Sequence, residues 1–207
     1  MNIVLIGIQG SGKGTLVAEL QNVMDFELIS TGQLFRDEIA TGSKLGKLIA
    51  ERINAGALVD TDTVMAVLQN KLKAIKSKNV VFDGFPREPN QAKQLKDFMN
   101  IDLVIHLNLS KEKAVDRLLN RLTCTNCKMI TKKSAVNEEN CPACGGKLAT
   151  RADDTLESIN KRFEIFEKDT LPLLDLYKSW GVKVVDVDAS KSPKQVLEDV
   201  VREIKWV

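Results

Sequence analysis

Residues 3–15, Ile-Val-Leu-Ile-Gly-Ile-Gln-Gly-Ser-Gly-Lys-Gly-Thr, constrain the fold more than any other stretch of the chain. The apolar run Ile3–Ile6 stops at Gly7, and a glycine-rich turn carries Lys13 into a helical pattern, Leu16-Val17-Ala18-Glu19-Leu20. An uninterrupted apolar run reads as a strand buried on both faces, as in a parallel sheet. A turn that feeds a helix N-terminus offers unpaired backbone N–H groups and the positive end of the helix dipole. Gly7, Gly10, Gly12 and Gly14 let such a backbone curl around an anion, and Lys13 adds a point charge for outer phosphates. The order Gly, four residues, Gly12-Lys13 fits the phosphate-binding loop pattern, except that Gly14 stands where Ser or Thr is usual. Thr15, one place on, is the candidate hydroxyl for Mg2+. The expectation is a nucleoside triphosphate held by Gly10, Ser11, Gly12, Lys13, Gly14 and Thr15.

Strand-like runs recur at Phe26–Ile29, Val80–Phe82, Leu103–Leu107 and Val182–Val187, separated by helical patterns. That alternation predicts an α/β fold with a parallel sheet between helices. Ser192-Pro193-Lys194-Gln195 reads as a cap, a first-turn proline and a capping-box glutamine. Asp154-Thr155-Leu156-Glu157 predicts a similar start, with Asp154 as cap, to one long helix through Leu174 that Pro172 bends. Ser110 is the expected cap of the helix holding Val115, Leu118 and Leu119. Residues 31–59, with two helical patterns, and residues 122–150, polar and poor in core residues, break the rhythm. Both are expected as movable insertions at the C-terminal ends of the strands, where open α/β sheets bind ligands.

At 207 residues one core with small insertions is the natural expectation, and a net charge of +2 gives no argument for nucleic acid or an anionic membrane. No apolar stretch approaches the roughly 20 residues that span a bilayer, and the N-terminal apolar run is consumed by the phosphate loop. A cytoplasmic protein is expected, in which disulfides are rare. That bears on Cys124-Thr125-Asn126-Cys127 and Cys141-Pro142-Ala143-Cys144, two Cys-x-x-Cys knuckles separated by a short polar stretch. Each knuckle turns two thiolates to one side, and two of them complete a closed tetrahedral site. Such a site is structural, replacing a core the segment lacks. Zinc suits it best and iron also fits; disulfides or free thiols are the alternatives.

The arginines are grouped. Arg36 follows Ser30-Thr31-Gly32, and Arg87 follows Asp83-Gly84-Phe85-Pro86. Arg117 and Arg121 precede the cysteine insertion, Arg151 leaves it, and Arg162 lies on the next helix. Guanidinium forks match phosphate geometry, and a converging set can hold a transferring phosphoryl group. Arg52 and Arg202 read as solvated surface charges. Asp83, at a strand end, suits a carboxylate acting on Mg2+. Asp153 and Asp154 read as helix N-terminal carboxylates, His106 as a satisfied core residue, and Trp180, Trp206 and the phenylalanines as packing.

Together these motifs resemble the adenylate kinase family, in its long-lid, zinc-bearing bacterial form. They are Gly7 to Thr15, Ser30-Thr31-Gly32, Asp83 to Arg87 with Gln91, Asp116-Arg117 with Arg121, and Arg151-Ala152-Asp153-Asp154. The resemblance implies a core with a five-stranded parallel sheet formed by residues 1–29, 60–121 and 153–207. It also implies a monophosphate-binding domain at 30–59 and a lid at 122–152. On the ATP side it implies Gly10 to Thr15, Arg117 over the adenine, Arg121, Ile130, Thr131 and Lys191. On the AMP side it implies Thr31, Arg36, Ala57, Leu58, Val59, Gly84, Phe85, Pro86, Arg87 and Gln91, with Arg151 and Arg162 gripping AMP and the phosphoryl group in transfer. Lys13, Arg87, Arg121, Arg151 and Arg162 are the expected catalytic residues. Thr15 and Asp83 are expected at Mg2+, and Cys124, Cys127, Cys141 and Cys144 at zinc. Gln9 stands where the family usually has proline, Gln33 where it has aspartate, and Phe35 where it has leucine. The lid lacks the aromatic and histidine residues often found after the second cysteine.

The activity so implied is reversible, Mg-dependent phosphoryl transfer, ATP + AMP = 2 ADP, by a monomer whose partners are nucleotides. Two alternatives remain open at this point: the same fold with CMP, UMP or GTP as a substrate, or an ATPase switch carrying a zinc-ribbon interaction module. A nucleic-acid-binding ribbon is disfavoured by Glu138 and Glu139 and by the absence of aromatics in that segment.

Overall fold

In the computed structural model, residues 1–136, 140–151 and 154–205 are described. Asp153, Glu138, Glu139 and Trp206, to which the sequence assigned roles above, lie outside these residues, as does Ala152. Five parallel strands form the main sheet: β1 (Asn2–Ile6), β2 (Glu27–Ser30), β3 (Val80–Asp83), β4 (Leu103–Asn108) and, completing the order β2-β3-β1-β4, the strand Lys183–Asp188 on the far side of β4. The register sets Leu5 beside Asp83 and Ile6 beside His106.

The period of two along the strands divides the core. Ile3 and Leu5 of β1 and Leu103, Ile105 and Leu107 of β4 face one layer of helices, with Leu16, Leu20 and Phe163. Val4, Ile6, Phe82 and Val104 face the other, with Leu68, Leu95, Leu173 and Tyr177. Each such side chain contributes about 1.5–3 kcal/mol by leaving water. Helix α1 (Lys13–Leu20) follows β1; α2 (Thr31–Ala40) and α3 (Lys44–Asn54) form the first insertion; α4 (Thr61–Ala74) and α5 (Pro89–Phe98) flank β3; and α6 (Lys111–Leu119) follows β4. Because β1 has its two sequence-distant neighbours β3 and β4 on either side, the turn after β1 opens at a topological switch point, where the crevice of such sheets lies.

The cysteine-bearing insertion is a small antiparallel sheet of β5 (Arg121–Cys124), β6 (Ile130–Lys132) and β7 (Leu148–Ala149), in the order β6-β5-β7. The main-sheet strand Lys183–Asp188 is therefore β8. The chain re-enters the core through α7 (Leu156–Ile165) and ends with α8 (Leu173–Ser179) and α9 (Pro193–Ile204).

Two expectations about α7 are corrected. Thr155, not Asp154, is its cap, the hydroxyl accepting from the Ser158 N–H, because Asp154 is engaged by a buried guanidinium instead. Nor does one bent helix run on to Leu174. A π-helical turn, Phe166–Thr170, separates α7 from α8, with the Leu171 N–H reaching the Phe166 carbonyl at 2.7 Å. Pro172, at the cap of α8, has no N–H to give back to the preceding turn, so the widened turn lies before it. The caps expected at Ser110 and Ser192 are present, the latter as a full capping box with Gln195. His106 is buried and paired through Nδ1 with Asp186 of β8 at 2.5 Å, a satisfied core position as its strand context predicts. Trp180 packs edge-on against Tyr177. No helix among the described residues is long and apolar enough to cross a membrane.

Candidate active site

The loop after β1 needs glycine at defined points. Gly10 and Gly12 have φ of +85° and +97°, in the left-handed region that other residues rarely enter. A Cβ on Gly10 would also lie 2.8 Å from the Ala114 carbonyl of α6. Gly12 caps α1 without a side chain, so no side chain competes for the first N–H groups of that helix. The Lys13 ammonium folds back over the loop and donates to the carbonyls of Gly7, at 2.6 Å, and Ile8, at 3.2 Å. Burial pushes Lys13 down to about 8; Asp83 opposes that shift, while Arg87 and Arg121 add to it. Four sequence-predicted residues from three segments, the phosphate loop, the Asp83–Arg87 loop and the start of β5 at Arg121, thus act on one point. The Ser11 hydroxyl, close by, is buried and has no hydrogen-bond partner among the described residues. Gly14 and Thr15 are exposed in the first turn of α1, and the Ile130 side chain of β6 lies 3.5 Å from where a Cβ on Gly14 would be. That contact sets the cysteine insertion over the loop, with Thr131 paired opposite Leu122.

Arg117 joins the loop to the β8–α9 connection, donating to the carbonyls of Ala189 at 2.9 Å, Gly10 at 3.4 Å and Ser11 at 3.5 Å. Lys191, in that connection, pairs with Asp199 at 2.7 Å, which holds it above the usual lysine value. Arg121 forms a two-pronged pair with Asp154, at 2.6 and 3.0 Å, with 15% and 3% of the two side chains exposed. Arg151 donates to the Thr123 hydroxyl at 3.2 Å, and Arg162 lies in the last turn of α7.

On the other side of Lys13, the Gly84 carbonyl accepts from both the buried Thr31 hydroxyl, at 2.7 Å, and Arg87 Nε, at 2.9 Å. Gly84 takes a φ of +77°, and a Cβ there would lie 3.0 Å from Thr31 Oγ1. Phe85 is buried and joined to Pro86 by a cis peptide bond. Gln91, 2% exposed, accepts from the Arg87 N–H at 2.8 Å. On α2, Gln33 accepts from Arg36 at 3.0 Å and donates to Asp37 at 2.7 Å. Val59 is buried; Ala57 and Leu58 are half-buried beside it. Three participants take roles the sequence did not show, since each acts across a long separation: Glu88, which accepts from Thr61; Thr170, which reaches Arg87; and Asp154 as the partner of Arg121.

The four cysteine sulfurs lie within 4.8 Å of one another. Cys124 and Cys144 are 3.5 Å apart and Cys127 and Cys141 3.6 Å, against the separation of about 3.8 Å that four sulfurs around zinc require. The Gly146 N–H, with Cys127 and Cys124, draws Cys144 down to about 6, toward the thiolate that ligates metal. A Cβ on Gly146 would press on Asn126 at 2.8 Å and on the Cys124 sulfur at 3.0 Å. Cys124 and Cys141 are also, with Leu148, the buried residues among those described in this insertion. The donor set and its closeness fit a structural zinc ion, held by all four and leaving no position for catalysis.

A sequence profile of the family described as adenylate kinase matches residues 5–182. The chain belongs to that family. It is a nucleoside monophosphate kinase, a phosphotransferase, with the P-loop α/β core described above. Among curated relatives named adenylate kinase, that of Caldanaerobacter subterraneus subsp. tengcongensis is 35% identical over 209 residues, covering 97% of this chain and 94% of its own. That of Treponema denticola is 36% identical over 201 residues, covering 95% and 96%. That of Chlamydia abortus is 37% identical over 202 residues, covering 95% and 94%. The kinase thus carries its phosphate loop, its Asp83–Gln91 loop and the base of its cysteine insertion around Lys13.

Proposed function

We propose that this kinase transfers the γ-phosphoryl group of Mg-ATP to AMP, reversibly, giving two ADP. The observation that carries this reading is the convergence on Lys13 of Asp83 and Arg87, from one loop, and Arg121, from another part of the chain. The loop Gly10–Thr15 binds the ATP phosphates through its N–H groups, and Lys13 exchanges the carbonyls of Gly7 and Ile8 for phosphate oxygens. Arg117 supports the loop from the adenine side, with Ile130 and Thr131 above it; Lys191 joins by exchanging Asp199 for nucleotide. Thr31, Arg36, Ala57 to Val59, Gly84 to Arg87 and Gln91 hold AMP, and Arg151 and Arg162 close on its phosphate.

An oxygen of the AMP phosphate, already ionised at neutral pH, attacks the γ-phosphorus in line as the bond to the β–γ bridging oxygen breaks and its electron pair leaves with ADP. No side chain has to remove a proton, so positioning and charge stabilisation by Lys13, Arg87, Arg121, Arg151 and Arg162 supply the rate. Mg2+, when bound with ATP, neutralises phosphate charge, and Thr15 and Asp83 are the residues suited to hold it directly or through water. Residues 30–59 and 122–152 serve as the monophosphate-binding domain and the lid, whose closure keeps water from the phosphoryl group. The remaining segments, 1–29, 60–121 and 153–207, form the rigid core.

Product formation from Mg-ATP with AMP, CMP, UMP, GMP or no acceptor, read by nucleotide separation, tests this. Two ADP per AMP consumed, with little turnover otherwise, is expected. Preference for another monophosphate moves the acceptor assignment to a pocket reshaped by Gln33 and Phe35. ATP loss without an acceptor overturns the two-nucleotide reading.

A further inference from the structure

Arg87 is held by its main chain as well as by its side chain. Its N–H donates to Gln91 Oε1 at 2.8 Å, and its carbonyl accepts from the Thr170 hydroxyl at 2.7 Å. Both partners are buried side chains, and Thr170 comes from a different part of the fold, the π-helical turn between α7 and α8. A threonine in a helix always has a local acceptor, the carbonyl one turn back, so burial alone does not require this reach. The extra residue in the widened turn rotates position 170 by about 100° relative to a continuous α-helix, onto a different face. Arg87 Nε meanwhile donates to the Gly84 carbonyl, which also accepts from Thr31, so the guanidinium is aimed from a peptide fixed at both ends.

We infer that Thr170 is a positioning residue for Arg87: its hydroxyl fixes the Arg87 peptide and so sets the grip on the acceptor monophosphate. The inference rests on the reading of Arg87 as an acceptor-phosphate ligand. It assigns the π-helical turn a task in substrate selection, at a residue that makes no contact with substrate.

The test compares Thr170→Val, which keeps the shape and loses the hydroxyl, with Thr170→Ala and with Thr170→Ser, which keeps the hydroxyl. Arg87→Ala serves as the reference. KM for AMP at saturating Mg-ATP, KM for Mg-ATP at saturating AMP, and Tm are measured for each. Thr170→Val and Thr170→Ala are expected to raise KM for AMP about tenfold, the size of one lost buried hydrogen bond. KM for Mg-ATP should stay within about twofold, and Thr170→Ser should restore the parent value. A merely structural role would lower Tm without separating the two KM values. Equal behaviour of Ser and Val, or a parallel rise in both KM values, overturns the inference. So does an unchanged KM for AMP in Thr170→Val while Arg87→Ala raises it. If Arg87→Ala itself leaves KM for AMP unchanged, the acceptor-site reading fails and the inference falls with it.

Discussion

Lys13 is the residue of the phosphate loop whose protonation the fold alters. Burial and the facing Arg87 and Arg121 hold it at about 8, with Asp83 pulling the other way, so near neutrality it is charged but poorly compensated. The carbonyls of Gly7 and Ile8 are weak substitutes for phosphate oxygens. A group lowered in the folded state binds fewer protons there than in the unfolded chain. The Lys13 contribution to stability therefore rises as pH increases from about 8 to the ordinary lysine value of 10.5. Nucleotide reverses this by restoring a strong acceptor. At pH 8.5, ATP binding should be accompanied by net proton uptake, less at pH 7 and absent in Lys13→Met. Calorimetry in buffers of different ionisation enthalpy reads it, and a buffer-independent binding heat at pH 8.5 would remove this account of Lys13. The position of Lys13 was legible in the spacing of the phosphate loop. Its titration was not, because that depends on Asp83, Arg87 and Arg121, brought beside it only by the fold. Gln91 is similar: its place was legible by resemblance, but the fold commits both ends of its amide, to Arg87 and to Glu88.

Among the elements, the cysteine-bearing sheet has the least apolar support. The buried residues among those described in this insertion are Cys124, Cys141 and Leu148, two of them thiol-bearing, so a metal held there would substitute for a core. Stripping the metal with a strong chelator should therefore melt this sheet while the five-stranded sheet persists. Limited proteolysis would then cut between residues 122 and 150, and phosphoryl transfer would be lost with it. Cys141→Ser should mimic the chelator, and Gly146→Ala should weaken metal retention by crowding the Cys124 sulfur. Resistance of the stripped protein to proteolysis would refute the structural role. The two knuckles were legible because metal ligation fixes their spacing. The α/β alternation was legible because the buried strands are nearly all apolar. The π-helical turn was not: Pro172 pointed to a bend in one continuous helix, and the partner that Thr170 meets from the widened turn, the Arg87 carbonyl, is distant in the chain. Asp154 was misread as a cap for the same reason. Within its own segment it has the right spacing, and only the fold brings Arg121 to it.

At the scale of the molecule, Arg121 and Asp154 stand at the two points where the chain leaves the core for the cysteine-bearing sheet and returns from it. Their pair closes the base of that excursion. Because Arg121 also acts on Lys13, the same contact ties the pose of the sheet to the charge at the phosphate loop. Both side chains are largely removed from water, so taking away one partner strands an uncompensated charge, whereas taking away both does not. That asymmetry makes a double-mutant cycle decisive. Arg121→Ala and Asp154→Ala should each lower stability and turnover, and the double variant should be well short of the sum. The coupling free energy expected is about 2–3 kcal/mol in unfolding. Asp154→Asn keeps the shape without the charge, and should reduce kcat more than it raises KM for ATP. That result would follow if the carboxylate aims Arg121 at charge developing in transfer, since a group acting mainly in the transition state appears in kcat. Additive effects in the cycle, with kcat unmoved in Asp154→Asn, would show the two residues acting independently. The base of the insertion would then be held by the antiparallel pairing of β5 with β6 and β7 alone.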